Sequence, residues 1–270
     1  LDAINNTMNQ GRANIKTYCG EEHLEEVFVD ATFVVNAIQV GGYDPSTIID
    51  FEIPKKYGLK QTIADTVGIG GIMRGLRTIP EIEKFARVME RVCPDAYFLN
   101  YTNPMAILTG YMQRYTKVKT IGLCHSVQVC TRDLFKELGM EEYLDGRKEL
   151  IAGINHMAWL LKIEDKNGKD LYPMIKERAK KKNETEKHND MVRFEYINTF
   201  GYYCTESSEH NAEYNQYFIK NKYPELIDKY NIPFDEYIRR RTKQIEAWKS
   251  TKEERIKDSY KVLYLGNLLK

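Results

Sequence analysis

Between about residue 27 and residue 154 the sequence keeps switching between two hydrophobic patterns, and this alternation constrains the fold more than any other feature. "DATFVVNAIQV" (30–40), "AYFLNY" (96–101), "VKTIGL" (118–123) and "KELIAGI" (148–154) are short, nearly continuous apolar runs of strand length. Between them lie "RTIPEIEKFARVMERVCP" (77–94), "PMAILTGYMQRY" (104–115) and "VQVCTRDLFKELGM" (127–140), which carry apolar residues at helical spacing. Strands without a polar face, each followed by an amphipathic helix, predict a parallel sheet covered on both sides. The fold class is therefore α/β, a doubly wound sheet.

Such sheets bind ligands beyond the carboxyl ends of their strands. That places four polar segments on one rim: Gln39–Gly41–Gly42, Asn100–Tyr101–Thr102–Asn103, Cys124–His125–Ser126 and Asn155–His156. After residue 156, "MAWLLKIEDKNGKDLY" predicts a hairpin turning at Asn167–Gly168. The remainder is expected to be mostly helical, with "IKERAKKKNETEKHND" a solvated helix end and loop. Residues 1–20 predict a helix and then a strand-like piece. "IADTVGIGGIMRG" lacks the strand–GxGxxG–helix setting of a phosphate loop and predicts a flexible active-site loop instead.

Composition narrows the partners. The 270 residues carry a formal net charge of +1, which gives no electrostatic reason for nucleic acid or an anionic membrane to bind. No apolar run reaches the roughly 18–20 residues of a spanning helix, and the N-terminus does not read as a signal peptide. Five scattered cysteines without CxxC spacing predict free thiols and a cytoplasmic setting.

Cys124 and His156 each end an apolar run. A thiolate and an imidazole meeting at the rim would suit a divalent transition metal with open positions. Their spacing alone favours a small buried cysteine and a satisfied core histidine. Asn100 and Asn103 offer amides to sugar or ribose hydroxyls, or simply an Asn turn capping a helix. "TESSEHNAEY" (205–214) gathers acid/base groups, although an exposed helix start looks much the same.

Six stretches in order resemble the family 4 glycoside hydrolases: "QVGGY", "QTIADTVGIGGIMRGLRTIP", "CPDAYFLNYTNPMAI", "IGLCHSVQ", "AGINHMAWLL" and "GYYCTESSEHNAEY". The similarity is nearest to the α-galactosidase branch and spans most of the chain, being weakest in residues 1–25 and after about 250. It implies a Rossmann-like NAD-binding domain over 1–154, without its first strands, and a mainly helical α+β substrate domain over 155–270. Family members are longer. Their Gly-rich NAD turn and a C-terminal portion have no counterpart here, so this stretch alone is expected to bind NAD weakly.

The resemblance implies an NAD- and Mn²⁺-dependent route, an exception to two-carboxylate glycosidases. The sugar is oxidised at C3, loses its C2 proton to a base, eliminates the C1 leaving group, adds water and regains the hydride. Cys124 and His156 match the metal ligands, and Asn103 matches a substrate-binding asparagine. Arg240 is a second substrate-side candidate. His125 stands where the phospho-sugar branch has an acidic residue, and His210, Glu209 and Tyr214 are rival bases. Asn36 and Asn100 are the expected NAD contacts. An α-galactoside, unphosphorylated, is the expected substrate, and a homo-oligomer (dimer or tetramer) the expected assembly. The alternatives are a dehydrogenase of small hydroxy acids and a non-catalytic fragment.

Overall fold

The computed structural model describes residues 1–255; the end of the expected second domain, 256–270, lies outside the described residues. In chain order α1 (Asp2–Met8) and α2 (Leu24–Phe28) lead to β1 (Phe33–Asn36), and α3 (Ile48–Lys56) and α4 (Ile69–Val92) lead to β2 (Tyr97–Asn100). Then come α5 (Met105–Tyr115), β3 (Lys119–Gly122) and α6 (Ser126–Leu138). The strand-like piece expected near the N-terminus forms no strand.

β1, β2 and β3 form a parallel sheet in that order. Their registers align Asn36, Asn100 and Gly122 in a single row, so the segments that follow leave from one edge. Phe98 points into a core with Ile82, Met89, Leu108 and Met112 from α4 and α5. On the opposite face Phe33, Val35, Tyr97 and Ile121 are exposed, so among the described residues the sheet is covered on one side only.

"KELIAGI" does not join this sheet. It is β4 (Lys148–Ile154), which pairs antiparallel with β5 (Met157–Glu164), and β5 pairs in turn with the short β6 (Tyr203–Cys204). The two-residue link, Asn155 and His156, commits β4 to an antiparallel partner, and its Ile151 packs with the core of β5 rather than that of β1–β3. The hairpin expected at Asn167–Gly168 shrinks to one bridge, Glu164 with Asp170, before the chain enters α7 (Tyr172–Thr185).

After α7 come α8 (Met191–Phe200), α9 (Ser208–Glu213), α10 (Glu225–Lys229) and α11 (Glu236–Arg255). Leu134 and Phe135 of α6 share one core with Leu160 and Ile163 of β5, Ile175 of α7 and Phe194 of α8. α6, which follows β3 in the chain, thus packs into the core of the second sheet.

The glycine-rich stretch is less flexible than its composition suggests. Residues 61–68 form a loop, and Gly70 and Gly71 already lie in the first turn of α4. A Cβ on Gly71 would stand 2.6 Å from the Thr66 nitrogen and 2.7 Å from the Asp65 carbonyl carbon. Only glycine lets the helix come this close to the loop. The glycines therefore press Asp65 into place.

Candidate active site

His156 sits at the second position of the β4–β5 turn with left-handed backbone (φ +62°) and a buried side chain. Its Nε2 lies 3.4 Å from Sγ of Cys124 and 3.7 Å from a carboxylate oxygen of Glu206. Cys124 Sγ is 4.0 Å from Glu206 and 3.4 Å from Ser126 Oγ. The other ring nitrogen, Nδ1, lies 3.1 Å from Asp65 and 2.8 Å from the Tyr214 hydroxyl. Asp65 also lies 3.7 Å from Nε2 of His210. One imidazole thus bridges two groups of potential ligands, Cys124 with Glu206 and Asp65 with His210.

These charges interact strongly. Burial pushes the Asp65 carboxyl up, yet His156 at 3.1 Å and the nearby His210 imidazole hold it far below the usual carboxylate range. Burial works against charge on His156, but Asp65 and Cys124 raise it to about 10. Burial likewise opposes ionisation of Cys124, and hydrogen bonds with His156 and Ser126 bring its thiol below the ordinary value. Glu206, also disfavoured by burial, is lowered by the charges of His210, His156 and His125. Tyr214 is pushed well up by burial and by the charge of Asp65. It therefore holds its proton at neutral pH.

A cavity of about 330 Å³ opens over this cluster, and Asn103, His125, His210 and Arg240 are on its wall. Asn103 reaches it from the end of β2, and His125 from the residue before α6. Ser207 caps α9 and bonds Nδ1 of His210 at 2.9 Å. Arg240 is paired with Glu236 at 2.7 Å and Glu209 at 3.3 Å. Asn36 and Asn100 stay beneath the rim. Asn36 donates to Asn100 Oδ1 at 2.9 Å and to Thr102 Oγ1 at 3.0 Å, and both amides are buried.

The remaining thiols differ sharply from Cys124. Burial pushes Cys130 and Cys204 up to about 12 and also raises Cys93, whereas Cys19 is exposed. Since the thiolate is the reactive form, iodoacetamide at pH 8 is expected to label Cys19 and Cys124 and to spare the other three. Peptide mass spectrometry reads this directly. Equal labelling of Cys130 would contradict the buried packing.

Asp65 and Glu206 join the cluster without a sequence signal of their own: both lie inside stretches that resemble the family, but only the fold turns them toward His156.

The family model described as Family 4 glycosyl hydrolase matches residues 1–140, and that of the Family 4 glycosyl hydrolase C-terminal domain matches 151–265. The chain belongs to family 4 of the glycosyl hydrolases. An alpha-galactosidase of Bacillus subtilis (strain 168) is 69% identical over 225 residues, covering 83% of this family 4 chain and 51% of that relative. The chain thus spans about half the length of that curated relative. A crystal structure of lplD from Bacillus subtilis superposes with a TM-score of 0.71 at 25% identity, over 87% of this chain and 57% of that one. A 6-phospho-beta glucosidase from Thermotoga maritima, solved with manganese, NAD⁺ and glucose-6-phosphate, shares the fold. Its TM-score is 0.62 at 21% identity, over 91% of this chain and 54% of that one. Among the described residues, no helix is long and apolar enough to cross a membrane.

Proposed function

We propose that the protein to which these residues belong hydrolyses α-galactosides with NAD and a divalent metal such as Mn²⁺. The observation that carries this reading is the 69% identity with an alpha-galactosidase over 83% of the chain. The donor set supports the metal. A soft thiolate, an imidazole nitrogen and a carboxylate oxygen lie within 4.0 Å of one another, a spacing that suits a transition ion and leaves positions open toward the cavity. Cys124, His156 and Glu206 would hold it. When bound, it stabilises negative charge that develops on sugar oxygens, while NAD supplies a hydride acceptor and later its donor.

The chain's own residues carry the proton work. Of the three rival bases, His210 is on the cavity wall. Glu209 is paired with Arg240, and Tyr214 holds its proton behind His156. His210 is thus the base for the C2 proton: Ser207 holds Nδ1, and Nε2, 3.7 Å from Asp65 and beyond hydrogen-bond range, keeps the lone pair that accepts it. His125, also on the cavity wall, serves the leaving group as acid, and Asn103 and Arg240 orient the sugar. Asn36 and Asn100 act from below by bracing the rim through Thr102, and no contact with NAD is assigned to them.

The test is turnover of an aryl α-galactoside by the full-length protein with NAD⁺, Mn²⁺ and a thiol reductant. Activity is expected to need all three, to fall when Cys124 is oxidised and to return with reductant. Turnover independent of NAD⁺, or net accumulation of NADH, would overturn the mechanism.

A further inference from the structure

Asp65 reaches the cluster on a segment with no helix or strand to hold it, and two of its neighbours, Ala64 (φ +55°) and Thr66 (φ +46°), have left-handed backbone. Side chains with a Cβ adopt this conformation only when their surroundings impose it. The imposing group comes from the other end of the chain. Glu213, the last residue of α9, accepts the backbone N–H groups of Thr62 (2.8 Å), Ile63 (3.2 Å), Ala64 (3.3 Å) and Asp65 (3.4 Å). Four successive amides turned onto one carboxylate form an anion nest, here filled by the protein's own side chain. Thr62 adds a second tie, donating its hydroxyl to the Glu209 carbonyl at 2.7 Å.

We infer that Glu213 is a positioning residue: by gripping residues 62–65 it holds Asp65 against His156 and His210 and so sets the imidazole that faces Cys124. The geometry has a consistent direction. Glu213 lies one turn after His210 on α9, so a single short helix carries the cavity histidine and the clamp. Asp65 and the Tyr214 hydroxyl both face Nδ1 of His156, which places a proton there and leaves Nε2 toward Cys124 and Glu206. Carboxylates that orient a metal-binding histidine in this way change metal affinity without touching the ion.

The inference rests on the proposed metal site for only one of its three readouts. In the intact protein, Glu213→Ala is expected to speed hydrogen exchange at amides 62–65 by roughly tenfold or more, while the core amides of α4 and α8 stay slow. Glu213→Gln keeps one acceptor oxygen and is expected to fall between wild type and alanine. The imidazole ¹⁵N shifts of His156, recorded without metal, are expected to move in both variants and in Asp65→Asn. Mn²⁺ affinity, read by electron paramagnetic resonance, is expected to drop about 10–100-fold in Glu213→Ala and Asp65→Asn, with partial recovery in Glu213→Gln.

Protected loop amides in both Glu213 variants would overturn the clamp. Fast loop amides with unchanged His156 shifts would overturn its reach to the cluster. If wild type binds no Mn²⁺, the metal reading fails, and exchange together with ¹⁵N shifts still decides the clamp. If Glu213→Ala does not fold, Glu213→Gln and Asp65→Asn decide by the same criteria.

Discussion

His156→Ala is expected to cost the full-length protein about 4 kcal/mol of transition-state stabilisation in the proposed reaction, roughly a thousandfold in kcat/KM. The His156 ring is shared by the two groups of potential ligands in the cluster. Its Nε2 faces Cys124 and Glu206, and its Nδ1 faces Asp65 and Tyr214. Alanine removes a proposed ligand and also leaves Asp65, Glu206 and the Cys124 thiol facing one another without the intervening ring. The hairpin should survive, because β4 and β5 pair in register from Ile154–Met157 to Lys148–Glu164, with one shift between Leu150 and Ile151. Far-UV circular dichroism should therefore match wild type while Mn²⁺ binding and turnover fall together. Retention of full activity would remove His156 from the mechanism.

The second large effect concerns stability. Asp190→Ala is expected to destabilise the protein by about 3–5 kcal/mol, the usual consequence of leaving a buried charge without its partner. Asp190 and Arg193 are ion-paired with side chains only 7% and 12% exposed. Asp190 also accepts the hydroxyls of Tyr203 at 2.6 Å and Ser208 at 2.9 Å, and the Arg193 guanidinium lies 4.4 Å from the centre of the Tyr203 ring. This one carboxylate ties α8, β6 and the start of α9 together. Its loss orphans a cation and two hydroxyls at once. The urea midpoint should shift accordingly, and adding Arg193→Met should recover part of the loss, since the second change removes the stranded charge. A single-mutant loss below about 1 kcal/mol would mean that water reaches Arg193 and solvates it.

The parts of the fold that were legible in the sequence are those fixed by local hydrophobic pattern. Phe33–Asn36, Tyr97–Asn100 and Lys119–Gly122 lie inside the three runs read as parallel strands, and the polar residues after them do share one edge. "KELIAGI" has the same apolar content and went to the wrong sheet. Strand membership depends on the length of the link, and Asn155–His156 lacks the glycine that usually marks a tight hairpin. Cys124 and His156 meet, but across a hairpin tip rather than along one row of parallel strand ends.

Spacing alone favoured core residues for that pair, and the resemblance tipped it toward a site. Asp65 was hidden for a different reason. Its position is set by Glu213, 148 residues later in the chain, and by glycines that read as looseness when they in fact allow close approach. Glu206 stood in a stretch whose carboxylates look like any solvated helix start. Its backbone has left-handed φ, a three-dimensional fact with no one-dimensional signature.

The left-handed backbone at His156 has a consequence for laboratory evolution. A histidine held at φ +62° gives up about 1–2 kcal/mol relative to an ordinary conformation, whereas asparagine tolerates this geometry and glycine adopts it freely. In either replacement, however, the buried carboxylates of Asp65 and Glu206 lose their imidazole partner, a larger cost than the backbone relief. Backbone ease and side-chain pairing pull this residue in opposite directions, so a screen for robustness alone will enrich Asn or Gly there only in backgrounds that have also neutralised Asp65 or Glu206.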